Sequence, residues 1–288
     1  MAKALKNVKE KYIQHSLFDV VEKIEKSTSS IDELRVPIFA PISQINKNSS
    51  IYKSFVENKN IRTIETKWGA IEIRNRILTQ THKDILDLIF TYADEIQEQI
   101  DGSVMIKFTR SKILQEYTQG EYSSKNFKWF KEKLLEIKDS VIRYKDKNDR
   151  SFAFNIIDTV IEDRNNFGII ISKSYVNFYE KSLSINYKKE IPRLLEIENS
   201  LLKAIVRFFF SHTNCNIKID DLFITLGFPM ESTRWLQISK KEIRESIDIL
   251  AGFGIHYDEK KEVFYYQGNK NINVIPAVSK GESPSLKK

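Results

Sequence analysis

An α+β fold in which one small module occurs twice is the class this sequence predicts, on three observations. One order of elements, helix, short strand, helix, longer helix and paired strands, is legible over residues 81–160 and again over 194–266. Apolar residues in the long segments recur at helical spacing, whereas the strand segments are short and rich in β-branched and aromatic residues. Glycine is scarce, 9 residues in 288, which argues against a loop-dominated fold and against Gly-rich phosphate loops. With 41% hydrophobic and 30% charged residues, the chain can bury a core and keep a solvated surface.

The first copy of the module opens at Thr81-His82-Lys83-Asp84, a capping-box-like helix start, followed by Ile85, Leu88, Ile89, Tyr92 and Ile96 on one face. A strand is predicted at Val104–Phe108. Thr109 caps a short helix holding Ile113 and Leu114, and Ser123-Ser124 starts a longer one through about Ser140. Two strand-like runs, Val141–Tyr144 and Phe152–Val160, close the copy around a charged turn that contains Lys145, Lys147 and Arg150. The second copy begins with a helix through Leu194, Leu201, Ile205 and Phe209, then a strand at Asn216–Ile219. A short helix capped by Asp220 ends at Gly227, a longer helix spans about 233–250, and Ile255–Tyr257 with Val263–Tyr266 form a hairpin.

That order is the winged helix, a helix-turn-helix followed by a β-hairpin wing. The predicted organisation is a flexible leader over 1–35, a first winged-helix domain over 36–190 for DNA binding and dimerisation, a second over 191–270 for DNA binding, and a disordered tail over 271–288.

The formal charge of +7 favours a polyanionic partner if the cations are clustered. On the helix 233–250, Leu236, Ile243, Ile247 and Leu250 fall on one face, and Arg234, Gln237, Lys241 and Arg244 fall nearly opposite. Arginine and lysine suit guanine edges and phosphates, and glutamine suits adenine. The alternative is a solvated charged face. On the first long helix, Phe127, Phe130, Leu134 and Ile137 are expected inside. Lys125, Lys128 and Trp129 are expected to offer contacts near its start. Trp129 has a second reading, as a ring covered by the leader or by a dimer partner. Arg110 and Lys112, with the turn residues Lys145, Lys147 and Arg150, are candidate phosphate contacts. The alternative for the turn is a solvated hairpin tip.

No G-x-x-x-x-G-K-[ST], H-E-x-x-H or G-x-S-x-G occurs, and His15, His82, His212 and His256 are widely separated, with no His-x-His pair. No enzyme, cofactor or metal is therefore expected. The single cysteine, Cys215, fits a reducing compartment. With no apolar segment after the lysine-rich start and none long enough to span a bilayer, a cytoplasmic protein with no membrane partner is expected.

Several stretches carry a family resemblance: Ile71-Glu72-Ile73-Arg74, Leu78-Thr79-Gln80-Thr81-His82-Lys83-Asp84, Phe127-Lys128-Trp129-Phe130-Lys131, Ile169-Ile170-Ile171-Ser172 before Asn177-Phe178-Tyr179, Leu201–His212, and Arg234-Trp235-Leu236. Over about residues 36–268 the chain resembles the plasmid replication initiators with two winged helices, of the TrfA and RepE/RepA type, and TrfA more closely. The similarities are diffuse and form no invariant signature. The resemblance implies theta-mode replication, with monomers on directly repeated origin sites that help melt adjacent DNA and recruit host factors such as the replicative helicase and the host initiator. It also implies a monomer–dimer equilibrium that limits copy number.

Gln14-His15-Ser16-Leu17-Phe18 is similar to the pentapeptide that binds the bacterial sliding clamp, which TrfA-type initiators carry in their leader. Gln14 would supply a hydrogen bond and Leu17 and Phe18 two apolar anchors, while His15 departs from the usual leucine. The alternative is an amphipathic helix through Ile13, Leu17, Val20 and Ile24. Two other functions use the same modules: a transcriptional regulator repressing its own operon, and an interaction protein whose winged helices make only protein contacts. The basic stripes oppose the last, and the clamp-like motif favours an initiator over a repressor.

Overall fold

Hydroxyl-rich residues near the N-terminus are where the computed structural model departs first from the sequence-based expectation. It describes residues 21–66, 69–146, 151–181, 183–228, 230 and 233–275. Ser27, Thr28, Ser29 and Ser30 belong to the stretch expected to be a mobile leader, yet all four are fully buried. Strand β1 (Ser29–Ser30) pairs with a later strand at 184–186, and Ser30 caps helix α1 (Ile31–Arg35) by accepting from the Glu33 N–H at 3.0 Å. Ser27 donates to the Lys23 carbonyl at 2.6 Å, Thr28 accepts from the Tyr187 N–H at 3.1 Å, and Ser29 donates to Glu33 at 2.8 Å. Satisfied hydroxyls bury at little cost, so a stretch with a linker's composition becomes core once it finds these partners.

Helix α2 (Ser50–Glu57) leads into β2 (Ile61–Thr66) and β3 (Gly69–Arg74). The cap of helix α3 (Gln80–Tyr92) is Thr79, two residues before the predicted Thr81, because the ring of His82 takes the role expected of Glu or Gln and accepts from the Thr79 N–H at 3.0 Å. Then come β4 (Glu95–Glu98), β5 (Val104–Thr109), α4 (Arg110–Thr118) and α5 (Ser124–Asp139), close to their predicted places.

The two strand-like runs after α5 pair as the expected hairpin, Ile142 with Phe154 and Tyr144 with Phe152, but not in the sheet of β5. Strand β6 (Val141–Asp146) and β7 (Ser151–Phe154) instead complete an antiparallel sheet in the order β2-β3-β6-β7. The run breaks at Asn155, whose side chain donates to the Lys138 carbonyl, and continues as β8 (Ile157–Asp163) in a different sheet. There β5 pairs with β9 (Asn166–Ile171), in the order β4-β5-β9-β8. Register explains the choice: Val104↔Ile171, Ile106↔Ile169 and Phe108↔Phe167 match six buried apolar residues across the ladder. The hairpin attached to the first three-helix module is thus β8–β9, and the turn with Lys145 belongs to an inserted sheet.

Helix α6 (Lys173–Lys181) and β10 (Ser184–Asn186) lead to the second module. Its predicted first helix is two helices, α7 (Ile191–Glu196) and α8 (Ser200–Phe210), divided where Asn199 accepts from the N–H groups of Leu201 and Leu202. Strand β11 (Cys215–Lys218) and α9 (Ile219–Thr225) follow. Asp220 lies in the first turn of α9, after its cap Lys218, and Gly227 takes the expected left-handed conformation at φ 63°. The predicted helix over 233–250 is α10 (Thr233–Glu245) and α11 (Ile247–Gly252), interrupted at Ser246. Strands β12 (Ile255–Asp258) and β13 (Val263–Tyr266) form the predicted hairpin, in a sheet ordered β11-β13-β12. The tail expected from 271 onward begins instead with β14 (Asn273–Ile275), which pairs with β10 in a small sheet ordered β1-β10-β14.

The two modules share one apolar core and dock through their first helices. On α3, Gln80, Lys83 and Asp87 are the first, fourth and eighth residues; on α8 the same positions hold Ser200, Lys203 and Arg207. These buried faces meet in an ionic network. Arg207 binds Asp84 at 2.6 Å, Asp87 at 2.8 Å and the Gln80 side chain at 2.7 Å. Lys203 reaches Asp84 at 2.7 Å, and Lys83 reaches Asp87 at 2.7 Å and Glu33 at 3.3 Å. Tyr187 and Tyr175 donate to Asp87 and Glu33. Burial by itself would lower the pKa of Arg207 and Lys83, but their carboxylates outweigh it and hold both above the usual values. Every described helix is too short or too polar to cross a membrane.

Candidate nucleic-acid interface

Helix α10 is positioned from one side by apolar packing and from another by a buried-side cation. Ile243 is fully buried and Leu236 half-buried, while Ser239 is covered. Lys240 joins Asp220 at 3.0 Å and Glu262 at 3.0 Å, tying α10 to the start of α9 and to the β12–β13 hairpin. Burial opposes the charge on Lys240, but these two carboxylates raise its pKa. Opposite, Arg234, Gln237 and Lys241 are exposed. Neither Arg234 nor Gln237 is tied by an ion pair or side-chain hydrogen bond to another described residue, and Lys241 makes only an exposed contact to Glu245 at 3.6 Å. Arg244, the fourth of the predicted set, likewise approaches a carboxylate, Glu262 at 3.6 Å. The stripe is therefore Arg234 and Gln237, which have no such contact, with Lys241 and Arg244 each beside one exposed carboxylate.

The first module's longer helix, α5, differs. Phe130, Leu134 and Ile137 are fully buried as predicted, while Phe127 is only half-buried. Lys125 is exposed, and Lys128 is exposed with Glu132 at 3.9 Å. Trp129 is half-buried with its ring 4.9 Å from that of Tyr117, so its principal neighbour is a tyrosine of α4. Neither expectation for Trp129, a DNA contact or a cover by leader or partner, anticipated that packing. Arg110 is turned inward: its guanidinium lies 4.0 Å from the Phe127 ring centroid and 5.3 Å from that of Phe167, and its side chain is 14% exposed. A planar cation stacks well on aromatic faces, which here competes with any phosphate contact. Lys112 is exposed, 3.4 Å from Asp94.

Among the turn cations, Lys145 is exposed on β6, in the inserted sheet, and Lys147 and Arg150 lie outside the described residues. So do Gln14, Leu17 and Phe18 of the clamp-like motif. The hairpin that pairs with β5 turns at Arg164, exposed and left-handed at φ 55°. Sequence reasoning passed over this turn, although Asp163-Arg164-Asn165-Asn166 is a turn-forming run. The second hairpin turns at Lys260 and Lys261, whose backbone N–H groups both donate to Asp258. The two lysines join β12 to β13 in the sheet whose strand β11 precedes α9.

His82 joins α3 to α5. With Nδ1 accepting from Thr79, its Nε2 carries the proton toward Glu136 at 2.7 Å, and Lys133 also reaches Glu136 at 2.7 Å. Burial lowers the His82 pKa. Burial alone would raise that of Glu136, but His82 and Lys133 bring it down to about 2.

No family model matches the chain, and no curated protein matches it. Among solved structures it is similar to crystal structures of domains 2 and 3 of RctB. One, of selenomethionine derivatives, is 14% identical, with 71% of this chain and 88% of that chain covered at a TM-score of 0.47. Another shares 12% identity over the same proportions, at a TM-score of 0.41. Neither likeness assigns an activity to this chain.

Proposed function

We propose that the chain is a sequence-specific DNA-binding initiator of theta-type plasmid replication and has no catalytic activity of its own. In this reading each module is a winged helix: α3, β5, α4, α5 and the β8–β9 hairpin in the first, α8, β11, α9, α10 and the β12–β13 hairpin in the second. The carrying observation is the outer face of α10, where Arg234, Gln237 and Lys241 are exposed behind a buried Ile243. A helix so mounted offers donors to base edges while its other face holds it to the domain. Lys125 and Lys128 at the start of α5 would act in the same way, with Arg164, Lys260 and Lys261 on phosphates. The resemblance to TrfA-type initiators supports replication initiation over other uses of such a surface.

In this proposal the protein binds directly repeated sites, with the two long helices in successive major grooves about one helical turn apart. It assists melting of adjacent DNA, recruits the host helicase and initiator, and contacts the sliding clamp through Gln14, Leu17 and Phe18. The test is a footprint on the DNA flanking the gene. Evenly spaced direct repeats beside an AT-rich tract are expected. A single palindrome would make the protein a regulator of its own operon, and no protected site would remove the DNA-binding reading. For the clamp contact, replacing Leu17 and Phe18 with alanine is expected to abolish clamp pull-down and spare duplex binding; retained pull-down would refute it.

A further inference from the structure

A cavity of about 700 Å³ opens between α1, α6 and the face of the β2-β3-β6-β7 sheet, away from α10. Its wall is aromatic. Phe152 and Phe154 stack at 5.8 Å and 17°, Phe154 and Phe178 at 5.4 Å and 24°, and Tyr144 sits 5.4 Å from Phe152. Phe152 is 43% exposed, an unusual state for a ring in a stack whose central member, Phe154, is 4% exposed. Near-parallel rings of this kind match a flat ligand that extends the stack.

The lining carries charges of both signs, Asp32 and Arg35, both on α1. Arg35, at the end of α1, lines this cavity and also a second one of about 650 Å³ beside His212 and Lys218. Arg35 is half-buried, and among the described residues no carboxylate pairs with it. Its guanidinium donates to the Ser211 carbonyl at 2.7 Å, and its Nε has no acceptor among the described residues. The buried cations of α3 and α8 are each matched by carboxylates, whereas Arg62 of β2, like Arg35, is held by backbone carbonyls, those of Pro37 and Gly227. A partly desolvated guanidinium without a counter-charge is costly, and an anionic ligand group would offset that cost.

We propose that this cavity is a binding site for a small planar aromatic anion, its ring against Phe152, Phe154 and Phe178 and its acidic group toward Arg35. The size and lining are those of ligand pockets, apolar walls with a few placed polar groups. Because Arg35 also holds the carbonyl that ends α8, such a ligand would bind where the first module meets the second. The proposal is independent of the DNA-binding reading.

The experiment uses the full chain and two probes, 8-anilinonaphthalene-1-sulfonate and its uncharged analogue N-phenyl-1-naphthylamine, followed by fluorescence titration. The anion is expected to bind at one site per chain and roughly tenfold or more tighter than the neutral probe, as a charge-assisted contact predicts. Arg35→Gln should erase that preference and Arg35→Lys should largely restore it. Ser174→Trp, an exposed position of α6 facing the cavity, should fill the space and abolish binding of both probes. Circular dichroism and thermal melting of each variant identify any that fail to fold. Undiminished binding in folded Ser174→Trp, or an anion preference that survives in Arg35→Gln, would overturn the proposal. Loss of preference in Arg35→Gln with no recovery in Arg35→Lys would overturn the role of charge and with it the proposal.

Discussion

The cations of α8 and those of α10 lie in the same module on neighbouring helices, and they do opposite things. Lys203 and Arg207 are buried and matched by Asp84 and Asp87 of the other module. Arg234 and Lys241 face solvent, and the nearest carboxylate contact is an exposed one, from Lys241 to Glu245. The difference teaches that a lysine or arginine on a helix has no meaning until its counter-charge is located. Supplied from within the chain, the counter-charge makes the cation a fastener between modules; where it is missing at the surface, the cation is available to a polyanion. The inward turn of Arg110 is a third outcome, in which the Phe127 and Phe167 rings share the cation with a carboxylate of its own module, Glu162 at 3.5 Å.

Breaking the fastener should have the largest effect. Arg207→Met leaves Asp84 and Asp87 buried with less compensation and is expected to cost about 3–5 kcal/mol of stability in chemical denaturation, as removal of one partner of a buried pair does. A loss within about 0.5 kcal/mol, the range of ordinary surface substitutions, would mean that the junction is not a fastener. Next in size, Arg234→Ala and Lys241→Ala should each weaken binding to the protected site by about 1–3 kcal/mol if they read bases, with melting unchanged. If both variants bound like wild type, α10 would not be the reading helix.

A smaller effect is expected at the hairpin tips. Alanine at both Lys260 and Lys261 should lower affinity about equally for all sequences and reduce the salt dependence by roughly two phosphate contacts, measured by titration across ionic strengths. A change confined to one sequence would contradict a phosphate role. The smallest concerns His82. Its folded-state pKa lies below the unfolded value of 6.5 because burial disfavours the charged ring. The unfolded chain therefore binds more protons just below pH 6.5, and stability should fall as pH drops through that value. His82→Gln can still accept from Thr79 but does not titrate, so it should lessen the loss of stability between about pH 7 and 5, leaving the part due to His212, whose pKa burial also lowers. An unchanged pH profile would show that other groups set it.

The helices and their inner faces were legible because their signal is local: Phe130, Leu134 and Ile137 on α5, and Ile243 on α10, repeat at helical spacing and are buried. The outward stripe of α10 followed from the same arithmetic. Arg110 and Trp129 were not legible, because their environments come from aromatic rings on other elements, Phe167 of β9 and Tyr117 of α4. Nor was the burial of Ser27–Ser30, whose partners include Tyr179 and Tyr187, more than 150 residues away.

By itself the sequence determined where the main helices of both modules lie, the apolar stripe of each long helix and the positions opposite it, all consequences of backbone periodicity over a dozen residues. Tertiary structure alone decided which strand pairs with β5, that the N-terminal serines and the segment at 273–275 join one sheet through β10, and which cations are neutralised. Those outcomes depend on matching side chains across long separations, where complementarity of buried surface and of charge, rather than local propensity, sets the free energy.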